Sequence, residues 1–347
     1  MLDLGTLGGT TSQGNAINNA GQVTGFAWAG APPDFEYYAF LYSNGKMKDL
    51  GTLGDSYSTG LAINDSGDVA GYYQRQSESH AFLDSAGTMI DVVPSGTSFV
   101  EPSLGHPLNA GGHMAGVYRP SGDSRAFLFR YGGTTDLGTL GGEFSVGYAI
   151  NDADQVTGDS STLTEEAHAF LWSEGAMRDL GTLGGDFSIG WAINGSAQVT
   201  GESTTAAGSL NPFVYVDGRM VLLDISAFGG YEGFGVDINN SGQVLGNYFR
   251  LTGVVGETEV RAFLATPISL LFSQLIAKIS GIGPGKSLSN RVRAAEAYYA
   301  VPDLHAACAA LAGFVHEVQA HSSKKVAQQT ADKLIADAAA IERALAC

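Results

Sequence analysis

Six positions at regular spacing hold side chains suited to recognition or proton transfer: Tyr38, His80, Arg125, His168, Asn211 and Arg261, each two residues ahead of a phenylalanine. The segments leading up to them carry Arg75, Arg119 and Glu166, together with the carboxylates Asp34, Glu78, Asp123, Glu165, Glu257 and Glu259. Two carboxylates flanking a glycosidic bond, with a histidine at the rim, are the equipment of a polysaccharide hydrolase or lyase. The same carboxylates are hard oxygen donors for Ca²⁺. Arginine, tyrosine and histidine that do not converge hydrogen-bond and stack on a polar ligand without transforming it. Spacing fixes no distances among them. A non-catalytic binding surface is therefore the first expectation, with no cofactor beyond a weak case for Ca²⁺, and the hydrolase or lyase is the alternative.

These positions belong to a repeat. The Asn ending each Ala-Ile-Asn-like signature stands at 18, 64, 109, 151, 194 and 239, and a Phe marker at 40, 82, 127, 170, 213 and 263, roughly halfway between successive asparagines. Six copies of a unit of about 44 residues follow. Each reads as four short strands, a to d, shown best by Gly190–Asn194, Gln198–Glu202, His168–Trp172 and Ala176–Leu180. The a-to-b turn needs a residue with φ > 0, supplied by Gly21, Gly67, Gly112 and Gly242 but by Asp154 and Ala197 in two copies. A single four-stranded unit of this length cannot bury both faces, and radial stacking solves that. The fold expected is mainly β: a six-bladed β-propeller of four-stranded antiparallel blades over residues 1–266, closed by Met1–Leu4 as the missing outer strand of the sixth blade. The phenylalanines are core, and one glycine per strand b, from Gly25 to Gly246, marks a bulge or close backbone approach. Strand order puts the b-to-c loops, which differ most between copies, on one face with the d-to-a connections, and that face is the expected binding surface.

Several motifs carry no chemistry. Leu4–Gly9 and Leu137–Gly142 are glycine-rich but precede no helix N-terminus, so they cradle no phosphate. Gly283-Pro-Gly-Lys-Ser287 imitates the end of a P-loop without its first glycine or preceding strand, and reads as a loop between helices. Asn64–Asp68 and Asn151–Asp154 are hairpin turns and not calcium loops.

Charge narrows the partners. The chain carries a net charge of -17, and residues 1–266 hold 10 Lys and Arg against 29 Asp and Glu. That repels phosphate backbones and excludes nucleic acid as a first partner; a glycan or a protein fits better, bound by a monomer. No apolar run is long enough to span a membrane. Met1–Leu4 already lies inside a repeat, so no signal peptide precedes it; the protein is cytosolic, or the sequence begins downstream of a secretion signal.

From Pro267 the pattern turns helical and alanine-rich, with four helices expected at 268–279, 289–301, 304–320 and 325–346, forming a small bundle over 267–347. Its three histidines, His305, His316 and His321, lack metal-ligand spacing. The only two cysteines, Cys308 and Cys347, fall here. A stapling disulfide in an oxidising compartment is the leading reading, buried thiols the alternative. The disulfide favours a secreted or surface location.

Ala-Phe-Leu-Trp, Met-x-Asp-Leu-Gly-Thr-Leu-Gly-Gly and Ala-Ile-Asn-x-x-Gly-Gln-Val-x-Gly together resemble the HAF-type extracellular repeat family across residues 1–266, with His-Ala-Phe itself at His80–Phe82 and His168–Phe170. The resemblance implies a secreted or surface location in bacteria and no assigned catalysis. Copies three and six depart most, through 91–96 and 224–229. Gly285–Leu288, Ala307–Leu311, Phe314–Val318 and the terminal cysteine are similar to the FIMAH module, which implies attachment or interaction.

Overall fold

The computed structural model describes all residues except 31–35, 55–56, 93–99, 103–105, 121, 132, 254–256, 281, 283–285, 301–302, 323–325 and 346. Two compact units are present: Met1–Asn240 with Val244–Leu264, and Ser241–Gln243 with Ala265–Cys347. No described helix is long and apolar enough to cross a membrane.

The first unit is built of antiparallel meanders in sequence order. The first repeat gives β1 (Ser12–Ile17), β2 (Val23–Ala29), β3 (Glu36–Ser43) and β4 (Lys46–Gly51), and the second β5 (Ser58–Ile63), β6 (Val69–Arg75), β7 (Glu78–Ser85) and β8 (Thr88–Asp91). The third gives β9 (Val100–Pro102), β10 (Met114–Tyr118), β11 (Arg125–Arg130) and β12 (Gly133–Asp136). The fourth has β13 (Gly141–Ile150), β14 (Val156–Thr162), β15 (Ala167–Ser173) and β16 (Ala176–Asp179), and the fifth β17 (Gly184–Ile193), β18 (Val199–Thr205), β19 (Leu210–Val216) and β20 (Arg219–Leu222). Among the described residues the sixth has three strands, β21 (Gly230–Ile238), β22 (Val244–Leu251) and β23 (Thr258–Ala265). A parallel bridge from Ala167 to Phe187 joins the fourth and fifth repeats into one eight-stranded sheet.

The core lies between consecutive repeats. Phe127 packs with Leu83 and Met114, Phe170 with Leu128 and Ile150, and Phe213 with Leu171 and Ile193. Phe40, Phe82, Phe127, Phe170 and Phe213 are at most 1% exposed. Strand register breaks between Gly147 and Ala149 and between Gly190 and Ala192, so the inner strand bulges. Opposite those bulges a Cβ on Gly158 or Gly201 would stand 1.8 Å from the carbonyl oxygen of Val146 or Ile189, which only glycine avoids.

Polar side chains couple the repeats. The recurring asparagine closes its own turn and reaches the next one. Asn151 Oδ1 accepts from the backbone N–H of Ala153 and Gln155, at 3.0 Å each, while Nδ2 donates to Gln155 Oε1 at 2.8 Å and to the Asn194 carbonyl at 2.9 Å. The same amide-to-carbonyl step runs from Asn18 to Asn64, Asn64 to Asn109, Asn109 to Asn151 and Asn194 to Asn239, at 2.9 to 3.2 Å. A buried serine adds a second link: the N–H groups of Ala39, Ala126 and Ala169 donate to Oγ of Ser58, Ser145 and Ser188 in the following repeat, at 2.8 to 2.9 Å.

The expected closing strand does not form. Met1–Leu4 make no strand, and Leu4 packs against Ala27, Phe40 and Tyr42 of its own repeat. Both ends of the array stay uncovered. Ile17 is 69% exposed where its counterparts Ile150 and Ile193 are 5% and 8%, and Leu264 on β23 is 65% exposed. The departing connection of the sixth repeat is a 3-10 turn, Ser226–Phe228, ended by Gly229 at φ 75°; that of the third falls mostly outside the described residues.

The second unit comprises α1 (Ile268–Ile279), α2 (Lys286–Ala300), α3 (Leu304–His321) and α4 (Gln328–Ala344). Phe272, Leu275, Val292, Leu311, Phe314, Leu334 and Ile341 form its core. Asp303 caps α3 by accepting from the Ala306 N–H. The Lys-Ser of the imitation P-loop sits inside the first turn of α2 and not in a loop, with Gly283–Gly285 outside the described residues. Cys308 and Cys347 form a disulfide, with Cα atoms 5.7 Å apart.

Candidate functional site

Strand b and the opening of strand c meet at one end of each repeat, joined in the first four by an aspartate of strand d (Asp49, Asp91, Asp136 or Asp179), and the side chains that fill the junction differ among the copies. In the fourth repeat His168 Nδ1 lies 2.9 Å from Asp179 Oδ2, and Glu166 Oε2 stands 3.8 Å from His168 Nε2, which is buried without a hydrogen-bond partner. Asp179 Oδ1 also accepts from the Gly181 N–H at 2.7 Å, closing the turn that follows.

In the second repeat the equivalent aspartate serves a tyrosine instead. Tyr73 donates to Asp91 Oδ2 at 2.9 Å, and burial, then this acceptor, raise the phenol. His80 stacks on Tyr73 with ring centroids 5.3 Å apart, and its Nδ1 is buried without a partner. Arg75 lies over the same ring, 5.3 Å from its centroid, and donates to the Leu53 carbonyl at 2.8 Å. It is a clamp on the preceding connection.

The third repeat repeats the tyrosine solution, Tyr118 donating to Asp136 Oδ2 at 2.9 Å, with burial first and Asp136 next pushing the phenol up to about 12. Arg125 stands close enough to oppose that shift. Arg119 Nε donates to Ser124 Oγ at 3.3 Å from an exposed position. In the first repeat Tyr38 bonds to Glu36, which is the main cause lifting its phenol to about 12. In the sixth, Arg261 and Arg250 share Glu259 at 2.8 and 2.9 Å, and these bonds, Arg261 first, lower the carboxyl.

The eight residues singled out by sequence, Tyr38, Arg75, His80, Arg119, Arg125, Glu166, His168 and Arg261, thus occupy equivalent ends of five repeats and engage local partners. Only Glu166 and His168 meet as a pair with a further carboxylate. Glu78, Asp123 and Glu257 are exposed, and Asp34 lies outside the described residues. Among the described residues no three His, Cys, Asp or Glu are grouped to hold a metal ion.

Three features were missed because they depend on adjacency between repeats. A cleft of about 720 Å³ opens between the first and second repeats, lined by Gln13, Asn15, Phe26, Trp28, Tyr37, Tyr57, Thr59, Leu61 and Tyr72. Between the fourth and fifth, Tyr148 and Trp191 pack with ring centroids 4.5 Å apart beside the buried Asp159 and the half-buried Glu202. Burial pushes Asp159 up to about 7 against the opposing Tyr148 hydrogen bond, and burial likewise raises Glu202 against a bond from Trp191. At the turn end the asparagine ladder walls a well of about 460 Å³, where His106 Nε2 of the third repeat meets Asp237 Oδ1 of the sixth at 3.3 Å. The residue just after each glycine of strands a and b was the available signal, since it varies freely: Asn15, Leu61, Tyr148, Trp191 and Val236 on one strand, Phe26, Tyr72, Asp159 and Glu202 on the other.

No family model and no curated protein matches this chain. Among solved structures it is similar to TolB from Acinetobacter baumannii, with a TM-score of 0.42 and 13% identity over 70% of this chain; the match spans 61% of the TolB chain, less than two thirds of its length. A triple-arginine mutant of AofleA from Arthrobotrys oligospora matches with a TM-score of 0.33 and 14% identity, over 74% of this chain and 87% of that one. The gluconolactonase XC5397 from Xanthomonas campestris matches with a TM-score of 0.36 and 12% identity, over 69% and 83%.

Proposed function

We propose that the repeats are the six blades of one propeller and that the protein is a non-catalytic, extracellular binding protein presenting the b-to-c end of its blades to a glycan or a protein partner. The observation that carries the reading is the division of labour between the two ends. The asparagine of each a-to-b turn makes the same inter-repeat hydrogen bond in successive copies, whereas the junction at the opposite, b-to-c end is filled by Tyr38, His80, Arg125, His168 or Arg261 with a different partner set each time. Constant scaffold with a variable rim is the arrangement of a surface that recognises.

Closure into a ring is supported by the two uncovered faces. β5 is buried against the first repeat, as β13 is against the third and β17 against the fourth. The exposed β1 and the exposed β23 are the two missing halves of that same contact. Secretion is supported by the disulfide and by the resemblance to HAF-type repeats and the FIMAH module.

A hydrolase or lyase is the second reading, favoured by one observation: His168 stands between Glu166 and Asp179. A glycan array followed by turnover assays on every bound hit separates the two. Binding without turnover, weakened by Arg119→Gln and Glu166→Gln at unchanged melting temperature, is the expected result. Cleavage of a bound glycan that is lost in His168→Gln would overturn the non-catalytic reading.

A further inference from the structure

We infer that the cleft between the first and second repeats is a stacking subsite for the pyranose rings of a neutral oligosaccharide, with Phe26, Trp28, Tyr37, Tyr57 and Tyr72 as its aromatic walls and Asn15 as a fixed amide at its edge. This rests on the proposed binding function and names its ligand class and place.

The geometry comes from the strand pairing of two repeats. Trp28 and Tyr37 are partners across β2 and β3, and a parallel bridge sets Tyr37 beside Tyr57 at the start of the second repeat. Tyr37 and Tyr57 stack with centroids 4.7 Å apart and planes 19° from parallel, and Phe26 leans on Tyr37 at 5.1 Å. All five rings are half-buried, with part of each surface left to the cleft. Asn15 Nδ2 donates to the Gly60 carbonyl at 2.8 Å and Asn15 Oδ1 accepts from Gln13 Nε2 at 3.0 Å, so the amides are oriented before a ligand arrives.

The chemistry of the lining selects the occupant. The unit around it holds 29 acids against 10 Lys and Arg, yet among the described residues no Asp, Glu, Lys, Arg or His lines this cleft. An ionic ligand finds no counter-charge among those residues. Burial, then the neighbouring phenols of Tyr72 and Tyr57, hold Tyr37 above its usual range, and the phenols of the cluster offer O–H groups as donors as well as acceptors. A pyranose offers the complement: an apolar C–H face for the rings and hydroxyls at its edge for phenols and amides. The volume, about 720 Å³, lies in the range of small-ligand clefts.

The experiment is isothermal titration of the full chain with neutral hexasaccharides (cellohexaose, mannohexaose and chitohexaose) and with hexagalacturonate as the anionic control. At least one neutral glycan is expected to bind and quench tryptophan fluorescence, and hexagalacturonate to bind neither as tightly nor in competition. Tyr57→Ala and Tyr72→Ala should each weaken binding about tenfold or more. Tyr57→Phe keeps the stack and should stay within about threefold, a comparison that holds even where an alanine variant folds poorly. Failure of all three neutral glycans, or binding unchanged in both alanine variants, overturns the subsite. Loss of glycan binding in Arg119→Gln and Glu166→Gln with none in the tyrosine variants overturns the subsite alone and leaves the rim as the binding face. Turnover of the bound glycan overturns the non-catalytic reading and leaves the subsite standing.

Discussion

His106 and Asp237 meet at 3.3 Å across the well at the turn end, joining the third repeat to the inner strand of the sixth through one ion pair. The hydrogen bond to Asp237 raises the imidazole, and His106 in turn lowers the carboxyl. A raised histidine contributes stability that is fully present below its unfolded value, about 6.5, and lost as pH rises through the folded value; a lowered aspartate contributes above about 4 and loses it as pH falls. The pair therefore holds from about pH 4 to 6.5 and weakens towards alkaline pH. The remaining charged groups lining the well, Asp65 and Asp152, are acids. His106→Gln should lower the melting temperature at pH 5.5 and match the parent at pH 9. A mutant deficit that grows with pH would exclude the ion pair as its cause.

Asn151→Ala removes four hydrogen bonds at a buried position and takes the side-chain acceptor from two turn N–H groups, while the Asn194 carbonyl keeps its bond from the Ala197 N–H. We expect a loss of about 2–4 kcal/mol in chemical denaturation. Asn151→Asp keeps the acceptor but loses the donor to Asn194, so it should restore the turn and not the link. An aspartate variant as stable as the parent would mean that the inter-repeat step contributes nothing.

The turn at Ala197 has φ 59°, as does Asp154 in the preceding repeat. An alanine there is strained, and Ala197→Gly should gain about 0.5–1 kcal/mol after glycine's greater unfolded-state entropy is discounted. Thermal denaturation decides it; a loss would place the strain elsewhere.

Asp159 is 6% exposed, and one of its oxygens has no partner. Its folded value, about 7, lies above the unfolded one, about 3.9, so between them the unfolded chain has released a proton that the folded chain still holds, and stability falls as pH rises. Asp159→Asn escapes that penalty. The variant should equal the parent at pH 4 and exceed it by about 2–4 kcal/mol at pH 8. Equal stability at both pH values would mean that the carboxylate is solvated.

The Cys308–Cys347 bridge closes a loop across 39 positions. By chain entropy its removal in Cys308→Ser with Cys347→Ser costs the helical unit about 4 kcal/mol. Non-reducing peptide mapping and helical melting by circular dichroism test both halves of that statement.

Periodicity made the strands and helices legible, because Phe170 or Asn194 declares its role by recurring at fixed intervals. The direction of Asn151 was not legible: a turn asparagine bonding its own backbone reads the same whether or not its amide also reaches the neighbouring turn. Ser188 gave no warning either, since a buried serine differs from a surface one only in what the next repeat places against it. The rim positions were found by register, but their partners were not. The same aspartate accepts from Tyr118 in one repeat and from His168 in the next, a choice made by the side chain across the sheet. The tyrosine cleft is a product of two repeats at once and has no single-repeat signature.

The uncovered faces at Ile17 and Leu264 make assembly a question of local concentration. On the proposed ring closure these surfaces are heterologous halves of one contact, so joining them within a chain would end growth, and joining them between chains would propagate it head to tail. Tethered by one chain, the two faces see each other at an effective concentration in the millimolar range, and the closed monomer should dominate at ordinary protein concentrations. Ile17→Lys weakens both outcomes alike. Sedimentation velocity over a wide concentration range distinguishes them: a single monomeric boundary throughout is the expected result, and a boundary that grows without limit would mean that the ends find other molecules first.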